Sequence, residues 1–238
     1  MAVFARVYFY CVSADTPDCD RADHTSWTVD EATAGNPLAQ FLHARRMSSA
    51  AERVTWLQKS AHAGFARAQN ELGWALYQGD GVRANLASAK KWLKKAADQG
   101  EAEAHYNLGL LAAQQGKIDE AVALFKRAAA GGVAAAMFNI GVSYYKGSHG
   151  VQQDLTAARH WLEQSGDGAG LLLAAGIADA TDAAAGEQLR QRSCATGHAP
   201  ACAALASSAP NAQQAKVWLA KAAKYGDAHA AKLLSNEL

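Results

Sequence analysis

Apolar and polar residues along this chain follow a helical period, and the pattern keeps returning. The segment WLKKAADQG (Trp92–Gly100) is echoed by WLQKSAHAG (Trp56–Gly64), LFKRAAAGG (Leu124–Gly132) and WLAKAAKYG (Trp218–Gly226). Weaker copies are WLEQSGDGA (Trp161–Ala169) and LRQRSCATG (Leu189–Gly197). A second block follows, clearest in ARAQNELG (Ala66–Gly73), AEAHYNLG (Ala102–Gly109) and AAAMFNIG (Ala134–Gly141). Self-similarity on this scale is the signature of a repeat array and takes precedence over local readings. Taking the residue that closes the first block as a mark, the marks fall at 35, 64, 100, 132, 169, 197 and 226, with Ala169 in place of glycine at the fifth.

Each interval predicts two helices. In the first helix, Ala at positions +2 and +4 from the mark and Leu-Gly at +8 and +9 share one face. Small residues there let a neighbouring helix come close. In the second helix a Trp or Leu stands eight residues before the next mark, with Ala-Ala nearer to it. The glycine that follows adopts positive φ and ends the helix. Pro37, Pro200 and Pro210 stand where helices begin, which the first turn tolerates. Short links make the pairs antiparallel, and stacked pairs make a solenoid. Loop lengths vary: YQGDGV (Tyr77–Val82) and YKGSHGV (Tyr145–Val151) are long, whereas QQGKIDEA (Gln114–Ala121) is an ordinary short turn.

Composition agrees with this reading. Alanine supplies 57 of 238 residues and proline only four, and alanine has the lowest helix cost. The longest apolar stretch, Ala169–Ala178, is about half of the roughly 20 residues a spanning helix needs, so no transmembrane segment is expected. Net charge is +1, which gives no reason to expect nucleic-acid binding. The charge is uneven, however. Residues 1–34 hold Asp15, Asp18, Asp20, Asp23, Asp30 and Glu31 against Arg6 and Arg21, a net of −4. We read 1–34 as an acidic arm and 35–238 as the repeat array. The apolar start MAVFARVYFYCV is split by Arg6 and lacks a clean cleavage site, so it reads as a short strand in Val3–Val12 better than as a signal peptide.

The pattern A-x-A-x-x-x-L-G-x-x-Y-x-G-x-G-V followed by A-x-x-W-L-x-K-A-A-x-x-G resembles the Sel-1-like repeats, a subclass of the tetratricopeptide superfamily. The copy Ala66–Gly100 carries nearly all of it, including Tyr77, Gly79, Gly81, Val82, Ala89, Trp92, Lys95 and Ala96. The resemblance spans about 35–238, and it fades where Leu171–Ala178 replaces the expected pattern. It implies an all-α fold, a right-handed superhelical α/α solenoid of about six helix hairpins, preceded here by a short extended segment.

Four cysteines form two pairs of equal spacing, Cys11/Cys19 and Cys194/Cys202. Cys194 ends one second helix and Cys202 lies one turn into the next first helix, within reach of each other across the turn. The spacing also resembles that of secreted, cysteine-rich members of the family, which bridge helices in this way. Two readings stand, a disulfide or two small buried thiols. Disulfides imply an oxidising compartment, hence a periplasmic or secreted protein, with a cytoplasmic one as the alternative. Cys11–Cys19 would be a second staple on the arm.

Residues for chemistry are scarce. The glycine-rich loops at Gly79–Gly81 and Gly147–Gly150 lack the strand and lysine of a phosphate loop. His105, His160, His198 and His229 occupy separate repeat positions without metal-ligand spacing. There is no G-x-S-x-G elbow. Lys90, Lys91, Lys94 and Lys95 around Trp92 read as a solvated helix face. No cofactor, metal or catalytic residue is assigned.

Recognition remains. Positions +3, +6, +7 and +10 of the first helix form one stripe that packing does not demand. They are Arg67, Asn70, Glu71 and Trp74, then Glu103, Tyr106, Asn107 and Leu110, then Ala135, Phe138, Asn139 and Val142. In related superhelices the first helices line the concave surface, and aromatics and arginine dominate protein hot spots. The expectation is a non-catalytic solenoid of the bacterial envelope that grips a protein partner, with a role as an immunity protein against a secreted, lipase-type effector. The alternatives are a periplasmic adaptor in signalling or secretion, or a β-lactam-binding or hydrolysing enzyme, as suggested for cysteine-rich relatives.

Overall fold

The computed structural model describes residues 25–148 and 151–235. The strand expected at Val3–Val12 and the Cys11/Cys19 pair lie outside the described residues. Among the described residues every regular element is a helix. The chain divides into two compact units, 1–101 and 102–238.

The first unit holds α1 (Thr25–Thr33), α2 (Pro37–Arg45), α3 (Ala50–His62), α4 (Ala66–Gln78) and α5 (Leu86–Asp98). The second holds α6 (Ala102–Gln114), α7 (Ile118–Ala130), α8 (Ala134–Lys146), α9 (Leu155–Ser165), α10 (Gly168–Asp179), α11 (Ala183–Ala195), α12 (Ala199–Ser207), α13 (Ala212–Lys224) and α14 (Ala228–Ser235). Within each unit every helix packs on the next in sequence. First and second helices alternate from α2 to α13, giving the stacked hairpins that the repeat predicts. Helix α1 lies in the segment read as the acidic arm and packs on α2.

Side-chain caps open helices of both types. On second helices Asn85 accepts from the Ser88 amide at 3.0 Å, Asp154 from Ala157 at 2.9 Å and Asn211 from Gln214 at 2.9 Å; on first helices Asn36 accepts from Leu38 at 3.0 Å and Asp167 from Gly170 at 2.9 Å. Such caps satisfy amides that the helix leaves unpaired. Most first helices begin two residues after the closing glycine. At Gly35, Gly64, Gly100, Gly132, Gly197 and Gly226 φ lies between 87° and 98°, a region that side chains disfavour.

The remaining mark differs from the sequence reading. The turn is made by Gly166 (φ 66°), not Ala169, and α10 starts at Gly168 behind the Asp167 cap. Helix α9 is 11 residues long where α5, α7 and α13 have 13. The repeat keeps its Trp-Leu and loses the end of its second helix, so counting from Trp161 overshoots the turn.

Small residues set the helix spacing. Position +4 is buried at Ala39, Ala68, Ala104, Ala136, Ala201 and Ala230. At +9 the contact is tighter. A Cβ placed on Gly73, Gly109 or Gly141 would come within 2.7 Å of Leu93, Phe125 or Leu162, each the residue after the Trp/Leu position of the following second helix. The same Cβ would lie 3.1 Å from the Ala89 carbonyl for Gly73 and 3.2 Å from that of Ala158 for Gly141. In α10–α11 the two small residues trade places: Ala175 stands at +9, and a Cβ on Gly186 would lie 3.1 Å from the Ala175 carbonyl.

Gly141→Ala is therefore expected to overpack the α8–α9 contact and cost about 1–3 kcal/mol in denaturant unfolding. Gly176→Ala provides the control: nothing lies within 4 Å of its added Cβ, so a gain of about 0.5–1 kcal/mol is expected from helix propensity.

Candidate partner-binding surface

In the first unit the stripe runs along α4. Arg67 is exposed, while Asn70, Glu71 and Trp74 are half-buried. The Trp74 ring lies 5.1 Å from that of Tyr77. Burial raises the Glu71 pKa above the ordinary carboxylate value. Arg45, Arg53 and Arg67 pull it down without cancelling that effect, and Glu101 pushes it further up. The arginines have other partners: Arg53 Nη2 lies 2.6 Å from Asp80 Oδ2, and Arg67 Nε lies 4.0 Å from Glu101. Arg45 occupies +10 of α2, the position that Trp74 holds in α4, so the same register applied one hairpin earlier would have found it.

In the second unit Glu103 is exposed, and Tyr106, Asn107 and Leu110 of α6 are half-buried. So are Phe138, Asn139 and Val142 of α8, while Ala135 is exposed. The structure brings Tyr106 and Asn139 together: Asn139 Nδ2 donates to the Tyr106 hydroxyl at 3.4 Å. The Tyr106 ring also meets Phe125 at 5.7 Å. Tyr106 and Leu110 back onto the core around Phe125 and Ile140, and Phe138 and Val142 onto that around Leu162 and Leu171. These side chains are thus anchored on one side and open on the other. With the mark moved to Gly166, the stripe continues through Leu172 and Leu173 at +6 and +7, both half-buried. Counting from Ala169 had hidden them; the usable sign was an Asp cap directly after a glycine.

The second helices explain the recurring W-x-x-K. Lys59 Nζ lies 3.8 Å from the Trp56 ring centroid, Lys95 4.5 Å from Trp92 and Lys221 4.3 Å from Trp218. His43 and His62 meet Trp56 and Trp92 edge-on at 4.7 and 5.0 Å. Cations over indole faces are attracted by the ring quadrupole, so Lys95, exposed like Lys91 and Lys94, also has a packing role.

Cys194 and Cys202 form a disulfide with Cα atoms 4.9 Å apart. They occupy −3 and +5 about Gly197. At the equivalent positions about Gly35 and Gly64 a glutamine does the joining: Gln40 Nε2 donates to the Ala32 carbonyl and Gln69 Nε2 to that of Ala61, both at 3.1 Å. Gln99 Nε2 donates in turn to Gln69 Oε1 at 2.8 Å. Among the described residues no helix is long and apolar enough to cross a membrane, and no group of three or more His, Cys, Asp or Glu is placed to hold a metal ion.

Antiparallel helix pairs, glycine-closed and joined in register by a small-residue contact, define a helical-hairpin repeat protein. The Sel1 repeat family model matches residues 66–101, 102–133, 134–169 and 201–227, more than half of the chain, and the chain belongs to that family. The unmatched stretch between 169 and 201 contains the hairpin in which glycine and alanine have traded places. Among solved structures, a protective antigen present in uropathogenic Escherichia coli strains and displaying an SLR fold is 25% identical, with a TM-score of 0.67. The match covers 86% of this chain and 49% of that one, so this chain spans about half the antigen's length. A Sel1 repeat protein from Oxalobacter formigenes is 24% identical over 80% of this chain and 89% of its own, with a TM-score of 0.70. An immunity protein from Pseudomonas aeruginosa is 16% identical over 86% and 83%, with a TM-score of 0.51, a likeness of fold alone. No curated protein sequence matches the chain.

Glu71 gives a test of the surface in the first unit. With its pKa raised in the folded state, the protonated form favours folding: that contribution is full below the unfolded pKa and is lost as pH rises through the folded one. Glu71→Gln should therefore stabilise the protein at neutral pH. The gain should shrink on acidification through the carboxylate range, as read from denaturant midpoints against pH.

Proposed function

We propose that this protein is a non-catalytic binding protein whose first-helix faces hold a protein partner in the bacterial envelope, and that it serves as an immunity protein neutralising a secreted, lipase-type effector. The observation that carries the reading is the in-phase recurrence of half-open side chains on first helices, Trp74 in the first unit and Tyr106, Leu110, Phe138 and Val142 in the second. Each is fixed by packing on one side, so little ordering is lost when a partner covers the other. Membership of the Sel1 family supports a binding role, and the Pseudomonas aeruginosa immunity protein is a protein of this fold to which that role is attached. The Cys194–Cys202 disulfide supports an oxidising compartment.

Co-expression of the protein with effectors encoded beside its gene tests the role. One of them should be toxic in the periplasm and rescued by this protein, and purified pairs should bind. Trp74→Ala or Phe138→Ala should weaken binding by about 2 kcal/mol, near 30-fold, if they are hot spots. Undiminished affinity in both variants would count against the first-helix faces. Thiol labelling of denatured protein from its native host should leave Cys194 and Cys202 unlabelled.

A further inference from the structure

Lysine is distributed unevenly between the two helix types. Of the twelve lysines in the chain, nine lie on second helices and two, Lys146 and Lys232, on first helices. They are densest on α5, where Lys90, Lys91, Lys94 and Lys95 fall within six residues, a rise of about 8 Å along the helix axis. Lys91, Lys94 and Lys95 are exposed on the side of α5 turned away from buried Ala89, Leu93 and Ala96. Asp98, in the last turn, is the one acid of the helix.

Other second helices balance their charge internally. Lys117 lies 3.4 Å from Glu120 at the start of α7, and Arg159 lies 2.6 Å from Glu163 in α9. In α5 the lysines instead stand four apart as Lys90/Lys94 and Lys91/Lys95, a spacing at which like charges weaken a helix. Lys59 and Lys95 are accounted for, since each lies over an indole and in the last turn of its helix, where cations are favoured. Lys91 and Lys94 have neither role, and among the described residues no carboxylate pairs with them. The end of α3 extends the face: exposed His62 meets the Trp92 ring at 5.0 Å, and exposed Lys59 stands one turn before it.

We propose that this lysine face of α5 and the end of α3 docks the first unit on an anionic bilayer surface, its ammonium groups meeting the phosphates of acidic lipid headgroups. Protein interfaces enrich arginine and aromatic residues and are depleted in lysine. Here the exposed cations of the two helices are lysines, and the rings of Trp56 and Trp92 are half-buried beneath two of them, so no aromatic anchor is offered to a protein partner. Clustered lysines on a helix face are drawn to an anionic leaflet, each worth about fivefold in affinity, and mobile headgroups require no shaped pocket. Among the described residues no helix can cross a membrane, so the association is peripheral. The face lies on second helices and the candidate stripes on first helices, so the two readings stand or fall separately.

The full chain would be co-sedimented with vesicles of phosphatidylglycerol and phosphatidylcholine in equal parts. It should partition onto them at low salt and dissociate as salt is added, and vesicles of phosphatidylcholine alone should leave it in solution. Lys91→Glu with Lys94→Glu should weaken partitioning about tenfold or more. The unfolding midpoint of that variant should be no lower than that of the parent, because like-charge pairs are removed. Lys146→Glu with Lys232→Glu changes the net charge equally but on first helices, and it should leave partitioning within about twofold. Absence of partitioning onto the phosphatidylglycerol vesicles, equal partitioning onto phosphatidylcholine, or equal losses in the two double variants would overturn the proposal. Firmer binding to poly-glutamate or to a DNA duplex than to the vesicles would overturn it by assigning the face to an acidic protein or to a nucleic acid.

Discussion

The approach of the two helices of a hairpin at position +9 sets the spacing on which each unit is built. Where Gly73, Gly109 and Gly141 stand, the opposing Leu93, Phe125 and Leu162 leave no room for a Cβ. A bulky residue can fill a hairpin's centre only because its neighbour has none, and the resulting contact buries Leu93 and Leu162 completely. Interiors packed this densely feel a single methylene. The glycine lowers helix propensity where it stands, and the buried leucine or phenylalanine offsets it. The same bargain is struck in reverse in α10–α11, where Ala175 faces Gly186.

That constraint is also why the fold was legible. A contact made once per hairpin writes one small residue into the chain at a fixed phase, and a turn needing positive φ writes a glycine beside it. Two such signals per interval located the helices of both units. The phase failed once, at Ala169, because α9 ends early and the true turn is at Gly166. Sequence counting assumes a constant second helix, and a deletion within it moves everything after it. The candidate surface was legible only in part. Its positions follow from phase, but the surroundings of Glu71 do not, since Arg45 and Arg53 come from α2 and α3 and no pattern within α4 announces them. The hydrogen bond from Asn139 to Tyr106 joins residues 33 apart in sequence, and the phase places them on neighbouring helices without saying that they touch.

The two units present different faces on their first helices. In the first unit the stripe is charged, with Arg67 and Glu71 on the same helix as Trp74, Arg45 lowering the Glu71 pKa from α2, and burial raising it. In the second it is nearly free of charge from α6 to α12, with Glu103 the exception and Tyr106, Phe138, Val142 and Leu172 in its middle. Charged groups steer encounter and select partners, while desolvated aromatics supply most of the affinity.

The clasp across the turns carries a consequence of its own. The structure fills one backbone slot with a glutamine amide at Gln40 and Gln69 and with a sulfur–sulfur bond at Cys202. An array that closes some of its turns without sulfur does not need sulfur to hold its shape. Reduction would thus soften a single link between neighbouring hairpins and leave the others untouched, and exchange of cysteine for glutamine at this slot is a small evolutionary step. Lineages could then move such a protein between reducing and oxidising surroundings by editing one turn.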